Sequence, residues 1–201
     1  MVDKLHNVPP AENPDRLGYI SGMKRLLITV LFVATVAVQA QDWKLMKTKD
    51  GKASVMIPEI PEMMTQNQPS EIGDVVMNIQ ILDLSAQGGD NMVMGLMSLE
   101  YPAGIMDSIQ TKADLDKFYD GAMNGAAQNS GGTISEQEEI EINGHMGRKV
   151  SIELMGGLAV MTMKYVQVGQ TGYIQQVISK GDAAENEESR KFLSSFKIED
   201  K

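Results

Sequence analysis

Beyond Gly132 the sequence takes up a period of two and is cut by turn residues at regular intervals, a pattern that few folds satisfy. Ile140 and Ile142 fall on one side of a first run, with Glu139 and Glu141 on the other. After Asn143-Gly144, the residues Val150, Ile152 and Leu154 alternate with Lys149, Ser151 and Glu153. Gly156-Gly157 introduces a third run, Leu158 to Val168, and "VGQTG" leads into a fourth, "YIQQVIS". Successive strand residues point to opposite faces, so each run has one apolar side. Asn-Gly supplies the two positive-φ positions of a tight hairpin turn. Connections this short join antiparallel neighbours, and the segment is expected to form a four-stranded meander.

Upstream, Asp50-Gly51 marks a hairpin whose second arm places Val55 and Ile57 on one face with Ala53 beside them. Pro58 and Pro61 stop that strand, and the polar residues 62 to 73 read as a surface loop. Val75 to Leu84 alternates, with Met77, Ile79 and Ile81 facing one way. Met92 to Tyr101 is apolar on both faces, as a central strand covered on each side would be. The period then changes to 3.6, with Leu115, Phe118, Tyr119, Ala122, Met123 and Ala126 along one side of a helix. Thr111 and Asp114 have the spacing of a reciprocal cap, and Ser130-Gly131-Gly132 ends the helix. Gly121 and Gly125 each cost about 1 kcal/mol of helix propensity, which close packing on a sheet would offset. A short amphipathic helix around Glu185 to Leu193 and a last strand at Ser195 to Ile198 complete the chain. The fold class is α+β: a single domain over residues 41–201, in which an antiparallel β-sheet is covered by helices.

Residues 1–22 are polar and proline-bearing, and read as an upstream extension or tail outside the domain. Residues 23–40 read as a signal peptide: Lys24 and Arg25 precede an apolar run from Leu26 to Val38, and Val38-Gln39-Ala40 suits signal peptidase, leaving Gln41 as the new terminus. A retained anchor would need roughly 20 apolar residues, more than this run offers. Export to the periplasm or the exterior is the expectation, with membrane contact only in passing, through the leader. The chain has no cysteine, so lipoprotein attachment, disulfides, thiol nucleophiles and thiolate metal sites are excluded. A net charge of -9 argues against nucleic acid as a partner.

Sixteen methionines are the compositional oddity. Met92 with Met94, and Met161 with Met163, are two apart and would project as pairs; if their strands were neighbours, four thioethers could hold copper(I). The competing reading is that methionine, flexible and apolar, fills space between helix and sheet, and the spread of methionines through every element favours it. A metal-handling role is therefore the alternative, and no cofactor is expected. His145 beside the Asn143-Gly144 turn would be the general base of a small cofactor-free hydrolase, a further alternative. Asp114, Asp116 and Asp120 form an acidic stripe at helical spacing, read as a solvated face in preference to a cation site. "EQEEIE" at 136 to 141 reads as a charged outer strand face that discourages edge association. The glycine pairs in "QGGD" and "SGGT" lack the spacing of a phosphate cradle, and no zinc-protease or nucleophile-elbow motif is present. Trp43 and Tyr101 are the candidate ligand-contact aromatics, against the favoured reading that both are partly buried at strand ends. The chain is thus expected not to be an enzyme.

Four stretches carry a family resemblance. "WKLMKTKDGKASVMIPEIPE" resembles the first hairpin of the PsbP-like or DcrB-like small extracytoplasmic proteins, and the helix at 112 to 128 resembles the one that crosses their sheet. "INGHMGRKVSIEL" is similar to their turn-then-strand segment, and "FLSSFKI" to their closing phrase. The resemblance implies an α/β/α sandwich with helices on both sides of an antiparallel sheet. It also implies a non-enzymatic accessory or binding role outside the cytoplasm, with another extracytoplasmic protein or a small ligand as partner.

Overall fold

The computed structural model describes residues 42–69 and 73–199. The readings of 1–22 as an extension and of 23–40 as a signal peptide lie outside the described residues. Within 42–199, the period-two segments form strands that pair entirely antiparallel.

The expected meander is β6 (Thr133–Ile142), β7 (His145–Leu154), β8 (Ala159–Val168) and β9 (Thr171–Lys180). Asn143 and Gly144 take φ of 50° and 84°, the left-handed pair that lets β6 turn directly into β7. β9 continues into β5 (Asn91–Glu100), which pairs with β4 (Val75–Asp83) and, beyond it, β3 (Met63–Gln68). The sheet has seven strands in the order β3-β4-β5-β9-β8-β7-β6. β5, apolar on both sides, lies within it as expected, with Met94 and Leu96 turned to one core and Met97 to the other.

Two features depart from the sequence reading. Residues 63–68, expected as loop, form β3, whose side chains are all exposed; an edge strand held by backbone pairing to β4 has no buried face and so no hydrophobic period to read. The hairpin of β1 (Lys44–Lys47) and β2 (Ala53–Ile57) does not join the main sheet. It makes a three-stranded sheet with β10 (Lys197–Ile198).

The main sheet is covered on both faces. α1 (Lys112–Ser130) lies on one, burying Tyr119, Met123 and Ala127 against Val150, Ile152, Met161 and Tyr165. The small sheet and α2 (Glu187–Ser194) cover the other, where Met46, Val55, Ile57 and Phe192 meet Leu82, Met94, Tyr173 and Val177. The architecture is an α+β sandwich, with the helical layer on the second face supplemented by strands.

Both α-helices among the described residues start on side-chain caps. Thr111 and Asp114 form the reciprocal box, with Asp114 N–H donating to Thr111 Oγ1 at 3.1 Å and Thr111 N–H to Asp114 Oδ2 at 3.1 Å. Asn186 accepts from Ser189 N–H at 2.9 Å to open α2. The last turn of α2 is closed by the sheet beneath it. Gln175 Nε2 donates to the Phe192 carbonyl at 2.6 Å and Lys164 Nζ to the Leu193 carbonyl at 2.7 Å, placing a cation at the negative end of the helix. Burial holds the Lys164 ammonium below the usual lysine range.

Gly121 and Gly125 overturn one expectation. A Cβ at either would meet nothing within 4 Å, so the sheet does not press on α1 at these points. Neither glycine has positive φ. Gly121→Ala and Gly125→Ala are each expected to raise stability by about 1 kcal/mol, the recovered helix propensity. A urea midpoint that rises at unchanged slope is the check; a fall would mean that close packing does hold these positions.

Candidate functional site

The cleft with the most developed chemistry opens at the N-terminal end of α1. Its walls come from the segment 106–111, the first two turns of α1, the start of β7 and the β8–β9 turn, and it encloses about 660 Å³. The 106–111 wall is pinned to that turn. Gln170 Nε2 donates to Asp107 Oδ1 at 3.2 Å, and Met106 N–H donates to Gln170 Oε1 at 3.4 Å. Tyr101 N–H donates to the Gln170 carbonyl at 2.9 Å just before this segment. Met106, Ile109, Leu115 and Met146 supply apolar lining, and Gln110, Gln167 and Gln170 supply side-chain amides.

One side of the cleft is an ion-pair network. Arg148, only 8% exposed, extends from β7 between α1 and β6. Its NH2 reaches Asp116 Oδ1 at 2.7 Å and its NH1 reaches Glu139 Oε1 at 3.1 Å. Lys112 Nζ contacts the same two carboxylates, at 2.9 Å and 2.8 Å. Its two hydrogen bonds raise the Lys112 ammonium, Glu139 contributing most, while those from Lys112 and Arg148 lower the Glu139 carboxyl. Two cations and two anions cancel within the network, and Asp107, held by Gln170, adds one further carboxylate to the lining. Arg148 Nε is buried without an acceptor.

Tyr119 links the cleft to an aromatic cluster. Tyr101, Phe118, Tyr119 and Tyr165 meet edge to face, with ring centroids 5.4 to 5.8 Å apart. Tyr119 Oη donates to the Met146 carbonyl at 2.8 Å and accepts from Gln167 N–H at 2.9 Å, tying α1 to β7 and β8. Burial pushes its phenol up to about 12. Thr111 Oγ1 donates to Asp114 Oδ2 at 2.7 Å. Both hydroxyls that line the cleft thus have their protons engaged in structural bonds, Tyr119 to a backbone carbonyl and Thr111 to the carboxylate that completes the α1 cap.

A second groove, about 550 Å³, lies between α2 and the outward faces of β6, β7 and β8. Lys149 pairs there with Glu138 at 2.9 Å, and Lys164 is turned to the end of α2. Its charges, like those of the first cleft, are of both signs.

The residues singled out in the sequence are dispersed. Tyr101 belongs to the aromatic cluster and does not line the cleft, its hydroxyl lying 2.7 Å from that of Tyr165. Trp43 packs on the opposite side of the sheet, where Lys191 Nζ stands 4.3 Å over its ring. The four methionines do not converge. Met94 faces the α2 side, Met161 and Met163 face α1, and β9 separates their strands. Met92 does not project as a partner of Met94: the register slips between Asn91 and Val93, and this bulge interrupts the two-residue alternation. The same slip turns Asn91 toward α2, where it bonds Asn186 and Ser179. His145 is half-buried at the start of β7 and lines neither cavity.

The acidic stripe lies on a solvent-accessible side of α1, and its three carboxylates have separate partners. Asp114 caps α1, Asp116 holds Arg148 and Lys112, and Asp120 accepts from Gln137 Nε2 at 2.9 Å. Arg148 was the residue missed. Its only signal was a cation in an otherwise alternating strand, opposite Glu139 in the adjacent one.

No family model matches the chain, and no curated protein matches it. Among solved structures, the chain is similar to the solution structure of cyanobacterial PsbP (CyanoP) from Synechocystis sp. PCC 6803, at 10% identity and a TM-score of 0.45, over 81% of this chain and 96% of that one. It is also similar to the crystal structure of a protein of unknown function, PA94, from Pseudomonas aeruginosa, at 12% identity and a TM-score of 0.33, over 74% of this chain and 90% of that one. The chain resembles PsbP-like proteins weakly, and in fold alone.

Proposed function

We propose that the chain is an exported accessory or binding protein without a catalytic centre, and that it holds an uncharged, apolar group of its partner in the cleft beside the start of α1. The observation that carries this reading is the apolar lining of the cleft beside an ion-pair network whose own charges cancel. Arg148 and Lys112 spend their hydrogen bonds on Asp116 and Glu139, so selectivity falls to the apolar side chains and the glutamine amides. A concave, largely apolar wall with a few fixed polar groups is the usual make-up of a binding site. Export rests on the leader at residues 23–40. Among the described residues no helix is long and apolar enough to cross a membrane.

Methionine methyl groups make the test direct. In a protein labelled at methionine methyls, blocked neutral dipeptides containing leucine or phenylalanine are expected to shift the Met106 and Met146 signals saturably and leave Met94 in place. Met106→Lys should abolish the shifts. Signals that never saturate at millimolar peptide, or that move equally at Met94, would refute the cleft as the binding site. Release of product from matching dipeptide esters would refute the non-enzymatic reading. Recovered from outside the cytoplasm, the protein should begin at Gln41.

A further inference from the structure

The two edges of the main sheet are built differently. β6 carries Glu136, Glu138, Glu139 and Glu141 along its length, so a copy laid against it would set carboxylates against carboxylates. β3, at the other edge, reads Met-Met-Thr-Gln-Asn-Gln and has no charge at any position. All six of its side chains are exposed, including Met64 at 58%. Pro61 and Pro69 stand outside the strand, and no proline, bulge or lysine interrupts it. The register with β4 is continuous from Met63 to Gln68, and among the described residues β3 has no backbone partner on its far side. The devices by which edge strands refuse a new neighbour are present on β6 and missing on β3.

We infer that β3 pairs antiparallel with β3 of a second copy of this chain, joining two seven-stranded sheets across a two-fold axis. The sequence suits itself as a partner. Amides meet amides, hydroxyl or thioether, and no like charges are opposed at any register. Opposite residues on antiparallel strands point to the same face, so a two-fold axis normal to the sheet must pass through a residue pair. One residue of β3 therefore faces its own copy, and centring on Thr65 or Gln66 keeps the most pairs. Six residues a side bury less than a standard interface, so the dimer is weak and concentration-dependent. Both chains carry net charge -9, so association strengthens as salt screens their repulsion.

The cysteine-free chain permits a clean test. Single cysteines are placed at each position from 63 to 68 in the protein purified as the cell processes it. Disulfide formation is followed at a fixed protein concentration. The rate should peak sharply at one residue, where the paired Cα atoms stand within disulfide reach. Sedimentation equilibrium should show a dimer that tightens with salt, and Thr65→Lys or Gln66→Lys should weaken it by about tenfold or more. Monomer at every concentration, a flat cross-linking profile, or lysine variants that dimerise unchanged would overturn the inference. So would cross-links formed only to some other protein.

Discussion

Gly172→Ala is expected to destabilise the domain by about 3 kcal/mol, although it adds one carbon atom. Gly172 sits in β9, and its φ lies outside the left-handed region, so alanine brings no backbone strain. The cost is spatial. A Cβ there would lie 2.5 Å from Tyr165 Cε2 and 2.8 Å from Cζ, inside any real carbon contact. The ring has nowhere to go. Tyr165 is 1% exposed, its edge packs on Phe118 and Tyr119, and its hydroxyl bonds Tyr101 at 2.7 Å and Gln167 at 3.0 Å. Moving the ring breaks these contacts and disturbs Tyr119, which lines the cleft. A domain of this size should lose roughly 10 °C in Tm, taking 2–4 °C per kcal/mol. A double-mutant cycle with Tyr165→Ala isolates the cause. Each single variant should be strongly destabilised, with the pair well short of the sum. Additive losses would place the requirement for glycine in the backbone and remove the ring from the explanation.

The close approach of Tyr165 to Gly172 was invisible in the sequence, although the strands on which both sit were legible. Alternation of Val150, Ile152 and Leu154 against Lys149, Ser151 and Glu153 needs only local chemistry, and the structure agrees with it. The Asn143-Gly144 turn and the Thr111–Asp114 cap are local in the same sense. What failed was information carried between segments. β3 has no buried side, so its strand character resides in hydrogen bonds to β4. The β1–β2 hairpin reads the same whether it extends the main sheet or lies across it. Gly121 and Gly125 were assigned to close packing because propensity alone left them unexplained, and the open space beside them shows that no packing compensates.

The cleft was still less legible, because its walls come from four separate stretches of chain. Asp116 and Glu139 each had a local interpretation, one as part of an acidic stripe and one as part of an acidic run. Their shared partner, Arg148, appears only when β6 and β7 are paired in register. A row across the sheet shows the organisation: Met64, Ile79, Met97, Ile174, Tyr165, Arg148 and Glu139 lie opposite one another on successive strands. Along it the α1 face passes from thioether and aliphatic groups through an aromatic ring to an ion pair. The cleft lies where apolar cover gives way to charge.

The methionines yield the second large effect. If their sulfur is interior filling, then Met94→Ala should cost about 2–5 kcal/mol, the range for deleting a long buried side chain and leaving its space partly empty. Met94 is fully buried among Leu82, Leu96 and Val177, in a layer closed over by the small sheet and α2. Met94→Leu conserves volume and should cost less than about 1.5 kcal/mol, because shape is then the property being replaced and sulfur chemistry is irrelevant. Met64→Ala, at an exposed edge position, should fall within about 0.5 kcal/mol of the parent. Denaturant midpoints for the three variants separate the two meanings of a methionine-rich chain. A Leu variant as damaging as the Ala variant would show that the thioether itself is required, and would return Met94 to the list of ligand candidates on its own face of the sheet.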